Sequence, residues 1–308
     1  MILVGGEALM DRIVHPDGRV DEVPGGGPFN TARTLARLGV RVAFVGGLSD
    51  DPAGRRLRTA LAADGVDLSL VRTTDRPTAW AVAELDSLGV ASYSFSLDET
   101  AATVVSPADV AVIPMTGVGA VHVGTLGLVV DPLASAMEAL VDAAPDDAVV
   151  MLDPNCRGAA IRDRATYLAR IRRLLGRTDV VKVSSDDLAY LYEGIERADA
   201  VGMLLAGGPS VVLWTDGAGP VRVVTPRGIA ALDVQRVAVA DTIGAGDAFS
   251  AGFLARWIGT GRSRRDLGSD DHLVVAVRWA IRVASLTCTR PGAEPPTIAE
   301  VAASERTG

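Results

Sequence analysis

One stretch of the chain carries the strongest signal for fold and chemistry: Asp241-Thr242-Ile243-Gly244-Ala245-Gly246-Asp247-Ala248-Phe249-Ser250-Ala251-Gly252-Phe253. Gly244 and Gly246 accept backbone conformations that bulkier residues resist, so successive N–H groups can point at one spot just as a helix begins. Aromatic residues then recur every four positions from Phe249, which predicts an amphipathic helix with one buried face. Asp247 falls in its first turn, where the helix dipole stabilises negative charge beside a site for an anion. A carboxylate next to an anion site indicates phosphoryl transfer.

Other interpretations of this stretch are open at this point. A glycine-rich turn before a helix is common, so the stretch can also be no more than a tight turn. It does not follow the dinucleotide-binding pattern G-x-G-x-x-G, because Phe249 stands where the third glycine belongs. The rest of the chain has to decide between a structural turn and a phosphate site.

Length and composition limit the class of protein. The 308 residues are 48% hydrophobic and carry a formal net charge of −8, so the chain can bury a large core. The acidic balance argues against nucleic acid or an anionic membrane as the main partner, because both bind basic surfaces. No apolar run is long enough to cross a bilayer, and the chain opens on an apolar strand without a charged leader region. We therefore expect a cytoplasmic protein with no nucleic-acid or membrane partner.

Cysteine and lysine usage narrows the chemistry further. Cys156 and Cys288 are the only cysteines, and they form no C-x-x-C pair, so neither a disulfide framework nor a zinc site is indicated. Lys182 is the only lysine. A P-loop needs its own lysine directly after the glycine-rich turn, so this kind of nucleotide site is excluded.

Short apolar runs alternate with helical patterns along most of the chain. Buried strands are predicted at 1–6, 40–46, 120–124, 148–152, 180–183 and 211–214, and helices at 31–39, 51–63, 132–143 and 163–175. Right-handed β-α-β crossovers between such elements build an α/β fold, with a doubly wound, mostly parallel sheet and helices on both faces. Gly252 in the last predicted helix lets a neighbouring element approach closely.

An antiparallel hairpin interrupts this alternation. Strands are predicted at 80–85 and 90–95, separated by the turn Asp86-Ser87-Leu88-Gly89. Together with the exposed segment 12–24, the segment 76–100 would form a small β-lid outside the main sheet. No repeat or low-complexity linker divides the chain, so we expect a single domain over 1–308 with these two lid segments inserted.

Polar residues and glycines follow the predicted strands. Glu7 and Asp11 come after the first strand, and Gly25-Gly26-Gly27-Pro28-Phe29-Asn30 precedes the first helix. Ligands of open α/β sheets bind beyond the carboxyl ends of the strands, so these side chains can hold the hydroxyl groups of a polyol. A solvated loop carboxylate and a merely structural glycine turn are the alternatives. His122 lies within an apolar strand, which indicates a packed histidine rather than a base.

The complete run Asp-Thr-x-Gly-Ala-Gly-Asp-Ala-Phe resembles the second signature of the PfkB (ribokinase-like) sugar kinases. In that family the last aspartate is the catalytic base, and the Gly-Ala-Gly backbone holds the transferring phosphate. The resemblance implies catalytic roles for Asp247 and for the backbone of Gly244, Ala245 and Gly246. It extends over almost all of the chain in the family's order, and it therefore implies a ribokinase-like fold.

The run Gly25-Gly26-Gly27-Pro28-Phe29-Asn30 resembles the first signature of the same family, where paired glycines and an asparagine contact the sugar. The resemblance implies substrate-binding roles for Gly26, Gly27, Asn30 and Asp11. It departs from the family pattern at its fifth position, where a large phenylalanine replaces the usual alanine. That change would narrow or reshape the sugar pocket.

The run Asp153-Pro154-Asn155-Cys156-Arg157 resembles the Asp-x-Asn-x-Arg element of fructokinase-like and ketodeoxygluconate kinases, whose polar side chains lie near phosphate and sugar. The resemblance implies that Arg157 binds substrate, since a guanidinium group pairs bidentately with an anion. An exposed surface arginine is the alternative.

The run Lys182-Val183-Ser184-Ser185-Asp186-Asp187 stands where the family has a Lys-x-Asn-x-x-Glu element, which organises Mg²⁺ through water. The resemblance implies cofactor binding by Lys182 and metal binding by Ser184 and Asp187. Ser184 replaces the asparagine and Asp187 the glutamate, so hard oxygen ligands remain with a shorter reach. A role of Ser184 as a helix N-cap is the alternative.

Two further segments resemble parts of the family's ATP site. Thr215-Asp216-Gly217-Ala218-Gly219 resembles its Thr-x-Gly segment, and residues 285–293 resemble its closing segment near the adenine. The resemblance implies that the nucleotide is bound by residues at both segments and at the glycine turn, namely Thr215, Gly217, Gly246, Ala284 and Cys288.

The family resemblance implies an ATP- and Mg²⁺-dependent kinase acting on the primary hydroxyl of a sugar. The first signature is most similar to that of fructokinases, which favours conversion of fructose to fructose 6-phosphate. A 2-keto-3-deoxygluconate kinase, a ribokinase and a nucleoside kinase are the alternatives within the family. A non-catalytic sugar- or nucleotide-binding regulator is the alternative outside it, although binding alone needs no base. Exposed lid edges predict a homodimer through the lid, and activation by K⁺ is left open.

Overall fold

The computed structural model describes residues 1–85 and 91–305. Its strands are β1 (Ile2–Gly5), β2 (Leu9–Val14), β3 (Val20–Gly25), β4 (Val42–Val45), β5 (Gly47–Ser49), β6 (Arg72–Thr74), β7 (Ala79–Leu85), β8 (Ala91–Ser96), β9 (Ala120–Gly124), β10 (Val149–Asp153), β11 (Val180–Ser184), β12 (Val211–Thr215), β13 (Val221–Thr225) and β14 (Gly228–Leu232). Its helices are α1 (Gly27–Arg37), α2 (Pro52–Asp64), α3 (Pro107–Val110), α4 (Leu133–Asp142), α5 (Arg164–Leu175), α6 (Ser185–Leu191), α7 (Arg197–Ala206), α8 (Ala245–Gly259), α9 (Asp270–Cys288) and α10 (Ile298–Glu305). None of the helices in these two ranges is long and apolar enough to cross a membrane.

A central sheet runs through the described residues in the order β14-β13-β12-β11-β10-β9-β1-β4. Six neighbouring strands of this sheet pair in parallel, namely β4, β1, β9, β10, β11 and β12. Strands β13 and β14 extend the β12 edge as antiparallel strands. Gly5 of β1 lies opposite Val45 of β4 on one side and Val123 of β9 on the other. The strands that follow β1 in the chain are therefore added to the sheet on both sides of it. Such a reversal of strand order opens a ligand cleft beyond the carboxyl ends of the strands.

Helices cover both faces of this sheet. Helices α1, α2, α8, α9 and α10 contribute to the core on one face, and α3 to α7 contribute to the core on the other. Within β1, Ile2 and Val4 belong to the first core and Leu3 to the second, as the two-residue period of a strand requires. Strands covered on both faces are mostly apolar, which is why they appear as nearly continuous runs in the sequence, and His122 and Lys182 are the buried polar residues within β9 and β11. The predicted fold class is confirmed.

A four-stranded second sheet has the order β3-β2-β7-β8. Asp11 of β2 lies opposite Val23 of β3 and Ala81 of β7, so the sheet joins two segments that are distant in sequence. These strands overlap the two segments predicted as lid. The turn predicted at 86–89 lies outside the described residues. Closure of this sheet over a ligand stays a prediction.

The first helix begins earlier than the sequence pattern indicates. The run before Thr31 was expected to be a loop, but α1 begins at Gly27 with Gly26 as its N-cap at φ 108°. Pro28 lies in the first turn, where a missing N–H group costs the helix nothing. The earlier start turns Phe29 into the core, where its side chain is fully buried. The expectation that Phe29 narrows a sugar pocket is therefore wrong.

Helix α8 is buried around its circumference, so the prediction of an amphipathic helix is wrong. The rings of Phe253 and Trp257 stack with centroids 5.6 Å apart, yet Ala251 and Leu254 on other sides are equally buried. The cause is α9, which packs along α8 and which the sequence pattern does not predict. A Cβ atom added to Gly252 would lie 2.9 Å from a backbone atom of α9, which confirms the predicted close approach.

Candidate active site

The glycine turn before α8 presents backbone amides to the cleft. Gly244 is the N-cap at φ 76°, in the left-handed region that favours glycine. The N–H group of Ala245 donates to the carbonyl oxygen of Thr242 at 3.2 Å. The first N–H groups of a helix have no partner inside it, so the amides of this turn remain candidates for an anion site. The predicted role of the run from Gly244 to Asp247 stays a prediction.

Asp247 is a buried carboxylate in the first turn of α8. The side-chain amide of Asn30 donates to its Oδ2 at 2.9 Å, which joins the two family signatures directly. Burial raises the pKa of Asp247 to about 6, although the hydrogen bond from Asn30 and the charges of Lys182 and Arg157 oppose the rise. A carboxyl group with this pKa is ionised at neutral pH and still has affinity for a proton, as a general base requires.

Glu7 holds the backbone around the cleft together. Its Oε1 accepts from the N–H of Gly27 at 3.1 Å, and its Oε2 accepts from the N–H of Gly127 at 2.7 Å. Burial raises the pKa of Glu7 to about 8, while these two hydrogen bonds oppose the rise. Gly27 itself is crowded, because an added Cβ would lie 2.2 Å from Oγ1 of Thr125 and 3.2 Å from Oδ1 of Asp247. A side chain at this position would therefore collide with Thr125.

Asp11 and Arg157 face the same cleft. A Cβ atom on Gly25 would fall 1.8 Å from Oδ2 of Asp11, so the carboxylate lies against bare backbone. Burial raises the pKa of Asp11 to about 6, and the positive charge of Arg157 opposes the rise. Arg157 is exposed and acts electrostatically on both Asp11 and Asp247. Its guanidinium group is thus both accessible and close to the two carboxylates.

Lys182 is buried under the glycine turn. Its Nζ donates to Oδ1 of Asp153 at 3.3 Å and lies 3.2 Å from Oδ2, which also accepts from Oγ of Ser250 at 3.2 Å. A Cβ atom on Gly246 would lie 2.9 Å from this Nζ. Burial alone would lower the pKa of Lys182, but the carboxylates around it outweigh burial and raise that pKa. The ammonium group is therefore charged.

Ser184 and Asp187 cap the start of α6. Oγ of Ser184 accepts from the N–H of Asp187 at 3.0 Å, and Oδ2 of Asp187 accepts from the N–H and Oγ of Ser184 at 2.8 and 2.7 Å. Oδ1 of Asp187 accepts from the N–H of Cys156 at 2.6 Å. The capping alternative for Ser184 is thus what the geometry shows. Within residues 1–85 and 91–305, no three acidic, histidine or cysteine side chains form a group able to hold a metal ion.

The Thr-x-Gly segment follows the next strand of the sheet. Thr215 ends β12 and donates through Oγ1 to the carbonyl oxygen of Val183 at 3.3 Å. Gly217 lies in an exposed turn at φ 55°. Among the described residues, no side-chain hydrogen bond joins this segment to Asp247 or Lys182. It lies at the carboxyl end of β12, two strands along the sheet from Asp153.

The closing segment packs against the glycine turn. Ala284 lies on α9 against the core, and the carbonyl oxygen of Cys288 at its end accepts from the N–H of Ala240 at 2.8 Å. Oδ2 of Asp241 accepts from the N–H of Gly292 at 2.9 Å. The predicted nucleotide-binding residues at the end of α9 are therefore attached to the segment that leads into the turn.

Glu7 and Asp153 are predicted to lie near the sugar and phosphate, and the structure shows them bound to backbone amides and to Lys182, whereas no role is predicted for Ser250. Glu7 and Asp153 each follow or end an apolar strand, and a charged residue there is a usable signal in an α/β sheet. Ser250 gives no such signal, because a serine inside an apolar helix is ordinary. His122 is buried, and burial lowers its pKa to about 3, which confirms the prediction of a packed neutral histidine.

Comparisons with known proteins agree with this arrangement. The family model for the pfkB family carbohydrate kinases matches residues 1–299. A fructokinase from Rhizobium leguminosarum bv. trifolii is 38% identical over 262 residues, which are 83% of this chain and 79% of that protein.

Solved structures agree over the whole length of the chain. The crystal structure of fructokinase with bound ATP from Xylella fastidiosa has a TM-score of 0.89 and 28% identity, covering 100% of this chain and 99% of that chain. The aminoimidazole riboside kinase from Salmonella enterica, complexed with aminoimidazole riboside and an ATP analog, has a TM-score of 0.84 and 27% identity, covering 98% of each chain.

Proposed function

Because this chain belongs to the pfkB family of carbohydrate kinases and is a sugar kinase, we propose that it transfers the γ-phosphoryl group of ATP to the 6-hydroxyl of fructose. The observation that carries the proposal is the hydrogen bond from Asn30 to Asp247, because it joins a sugar-side residue to a base at an anion site. The ATP-bound fructokinase supports ATP as donor. A non-catalytic regulator is set aside, since the chain is an enzyme of this family.

The proposed reaction uses Asp247 as general base. Its carboxylate accepts the proton of the sugar hydroxyl while that oxygen forms a bond to the γ-phosphorus, and the bond from this phosphorus to the bridging oxygen breaks to release ADP. Asn30 donates to Oδ2 of Asp247, so the sugar hydroxyl is proposed to approach its other oxygen, Oδ1. The amides of Gly246 and Asp247 stabilise the phosphoryl group as negative charge develops on it.

The remaining predicted site residues surround these two groups. Asp11, Gly26, Gly27, Asn30 and Arg157 position the sugar and its incoming phosphate. Lys182 and Gly246 bind the phosphates of ATP, and Thr215, Gly217, Ala284 and Cys288 line the rest of the nucleotide. The support for this division is that Asp11 and Asn30 lie between β2 and the end of α1, whereas Lys182 and Thr215 lie in β11 and β12. Arg157 follows β10, beside β11.

A Mg²⁺ ion fits this donor set only through water. Three protein donors already engage the carboxylate of Asp187, so we propose that it orients water on an ion held mainly by ATP phosphates, as Mg²⁺ usually is. Such an ion neutralises charge on the phosphates. The Asp187→Ala variant should need a higher Mg²⁺ concentration for half-maximal rate, and an unchanged requirement would leave Asp187 as a cap.

Activation by K⁺ is measured in the same assay by replacing KCl with NaCl.

Fructose is favoured over the alternatives by the identity to a fructokinase and by the first signature, in which Phe29 is fully buried. The riboside kinase supports a nucleoside as second candidate, because its fold agrees almost as well.

We further propose a cytoplasmic homodimer that pairs through the second sheet. Sedimentation equilibrium measures the mass, and a monomer of 31.9 kDa would contradict the dimer.

The Asp247→Asn variant tests the mechanism. ADP release with ATP, Mg²⁺ and fructose should fall at least about 10²-fold in kcat, because amide replaces the base. Burial raises the pKa of Asp247 to about 6, so the stability that its bound proton gives is complete below its ordinary value of 3.8 and lost as pH rises through 6. The variant should therefore be no less stable than wild type at pH 8, and it should still bind ATP. Near-normal turnover by the folded variant would overturn the assignment.

A further inference from the structure

We propose that Asp153 is a positioning residue for phosphoryl transfer, because it holds the ammonium group of Lys182 under the Gly246 backbone, where its charge faces the transferring phosphoryl group. The inference rests on the proposed kinase function and deepens it. It gives Lys182 a part in the chemical step and explains why a second buried carboxylate lies so close to the catalytic base.

The two side chains meet on neighbouring strands. Asp153 ends β10 and Lys182 lies within β11, and both side chains are almost completely buried on the face of the sheet that α8 covers. The Nζ of Lys182 is 3.2 and 3.3 Å from the two oxygens of Asp153. A lysine with both carboxylate oxygens in reach is held at one place, although its four-carbon stem is flexible.

Helix α8 completes the arrangement with two small residues one turn apart. Ser250 donates to Oδ2 of Asp153 at 3.2 Å and so fixes the carboxylate. Gly246, four residues earlier on the same helical face, leaves the space that the ammonium group fills, since an added Cβ would be 2.9 Å from Nζ. Gly246 is not among the residues with positive φ, so its glycine is required by this contact and not by backbone conformation.

The position of Asp153 also decides which carboxylate Lys182 pairs with. Asp187 and Asp247 both attract the ammonium group, but the hydrogen bonds go to Asp153. Without that partner the ammonium group would turn to Asp247, where it would stabilise the ionised base and lower its affinity for the sugar proton. Asp153 therefore keeps the base free and directs the positive charge to the phosphate.

A buried ion pair can also serve stability alone, so a matched control is needed. Asp179 provides it, because it is as buried as Asp153, pairs with Arg264 at 2.5 Å, and accepts from the N–H of Val150 at 2.9 Å. It directly precedes β11, at the opposite end of the strands from the glycine turn. Its loss should cost stability without touching the chemistry.

The kinetic experiment compares Asp153→Asn with Asp179→Asn in ADP release. We expect Asp153→Asn to lower kcat by about 10²-fold, the scale of losing one preorganised electrostatic contact, with KM values for sugar and ATP within about threefold of wild type. Asp179→Asn should lower the unfolding midpoint and leave kcat within about twofold. Equal losses of kcat in both variants, or normal kcat in Asp153→Asn, would overturn the proposal.

The single lysine offers a second measurement that needs no turnover. Protein labelled with [¹³Cε]lysine has one lysine methylene resonance, and it reports on Lys182 alone. Asp153→Asn should move this resonance and Asp179→Asn should not. Addition of ADP, Mg²⁺ and aluminium fluoride, which mimics the transferring phosphoryl group, should move it in wild type and not in Asp153→Asn. If the chemical shift of Lys182 is the same in wild type and in Asp153→Asn, the contact between the two side chains is wrong. This measurement decides the question even if the variant is too unstable for kinetics.

The two proposals fail in different ways. If the wild-type enzyme releases no ADP with fructose or any other acceptor, the proposed function fails, while the resonance still reports the contact between Asp153 and Lys182. If wild type turns over and the Asp153→Asn resonance moves without loss of kcat, the kinase function stands and the positioning role is wrong.

Discussion

At the scale of single residues, the site is a group of buried carboxylates held apart by different partners. Asp247 is bonded to Asn30, Asp153 to Lys182, and Glu7 to two backbone amides. Burial raises the pKa of Asp247 and of Glu7, so the protonation state of each carboxyl group depends on its hydrogen-bond partners and on neighbouring charges. We assign the chemistry to Asp247 because it lies in the first turn after the glycine turn and accepts a hydrogen bond from Asn30 through Oδ2.

The pH dependence follows from this assignment. The pKa of Asp247 is about 6, so kcat/KM should be constant above neutral pH and fall tenfold per unit below about pH 6, where the base is protonated. Asp11 has a pKa of about 6 as well, so the Asp11→Asn variant is the control. Its kcat/KM should be lower at every pH but keep the acid limb. Loss of the limb in Asp11→Asn would transfer the titration to Asp11.

Residue-level prediction from the sequence worked where the chemistry is local. The left-handed conformation of Gly244 and the place of Asp247 in the first turn follow from their neighbours in the chain. Gly246 was expected to serve backbone conformation, and the structure shows that it makes room for Lys182, which is distant in sequence. The pairing of Lys182 with Asp153 depends on the order of the strands, which spacing along the chain does not reveal.

At the scale of elements, the packing of α9 along α8 fixes the helix that carries Asp247. The strands and helices predicted from apolar periodicity agree with β1, β9 to β12, α2, α4 and α5. The pattern is clear in these elements because each strand is buried on both faces and each helix packs one face on the sheet. Helix α9 and the pair β13 and β14 were not predicted, since their patterns are specified by packing at the sheet edge and on α8. The all-round burial of α8 has the same origin.

The Gly252→Ala variant tests this helix contact. The added Cβ would lie 2.9 Å from the Cα of Ala280, and such overpacking should lower the free energy of unfolding by about 1–3 kcal/mol. Gly259→Ala is the control, because nothing lies within 4 Å of its added Cβ. That variant should be neutral or gain up to about 1 kcal/mol from helix propensity. Urea unfolding measures both, and equal stability of the two variants would contradict the close packing.

The second sheet is expected to act as a lid. Arg56 of α2 donates to the carbonyl oxygen of Glu22 in β3 at 2.9 Å, and Asp51 before α2 accepts from the N–H of Thr78 before β7 at 2.8 Å. These contacts hold β3 and the segment before β7 against α2, and we expect the strands of this sheet to close over a sugar and exclude water. Hydrogen exchange should slow at 12–24 and 79–85 when fructose and ADP are added. Unchanged exchange there, with slowing at Asn30, would show binding without a lid.

At the scale of the whole molecule, the proposed sugar and ATP sites share the cleft at the carboxyl ends of the parallel strands. The strand order reverses at β1, and the predicted residues Arg157 and Thr215 respectively follow β10 and end β12 on one side of it. The net charge of −8 is compatible with anionic substrates because positive charge is concentrated locally, at Lys182 and Arg157. The fold and the family were predictable from the signatures, whereas fructose as the substrate stays a prediction, because the choice of sugar depends on side chains from separate elements.

The most direct test of the central claim is coupled ADP release with ATP and Mg²⁺ across fructose, ribose, 2-keto-3-deoxygluconate, adenosine and aminoimidazole riboside. A site that hydrogen-bonds one substrate rejects analogues that leave its polar groups unpaired, so one acceptor should exceed the others in kcat/KM by about 10²-fold or more. We expect that acceptor to be fructose, with phosphate on its 6-hydroxyl. A lead by the riboside or by ketodeoxygluconate would contradict the fructose assignment, and no ADP release with any acceptor would contradict the kinase itself.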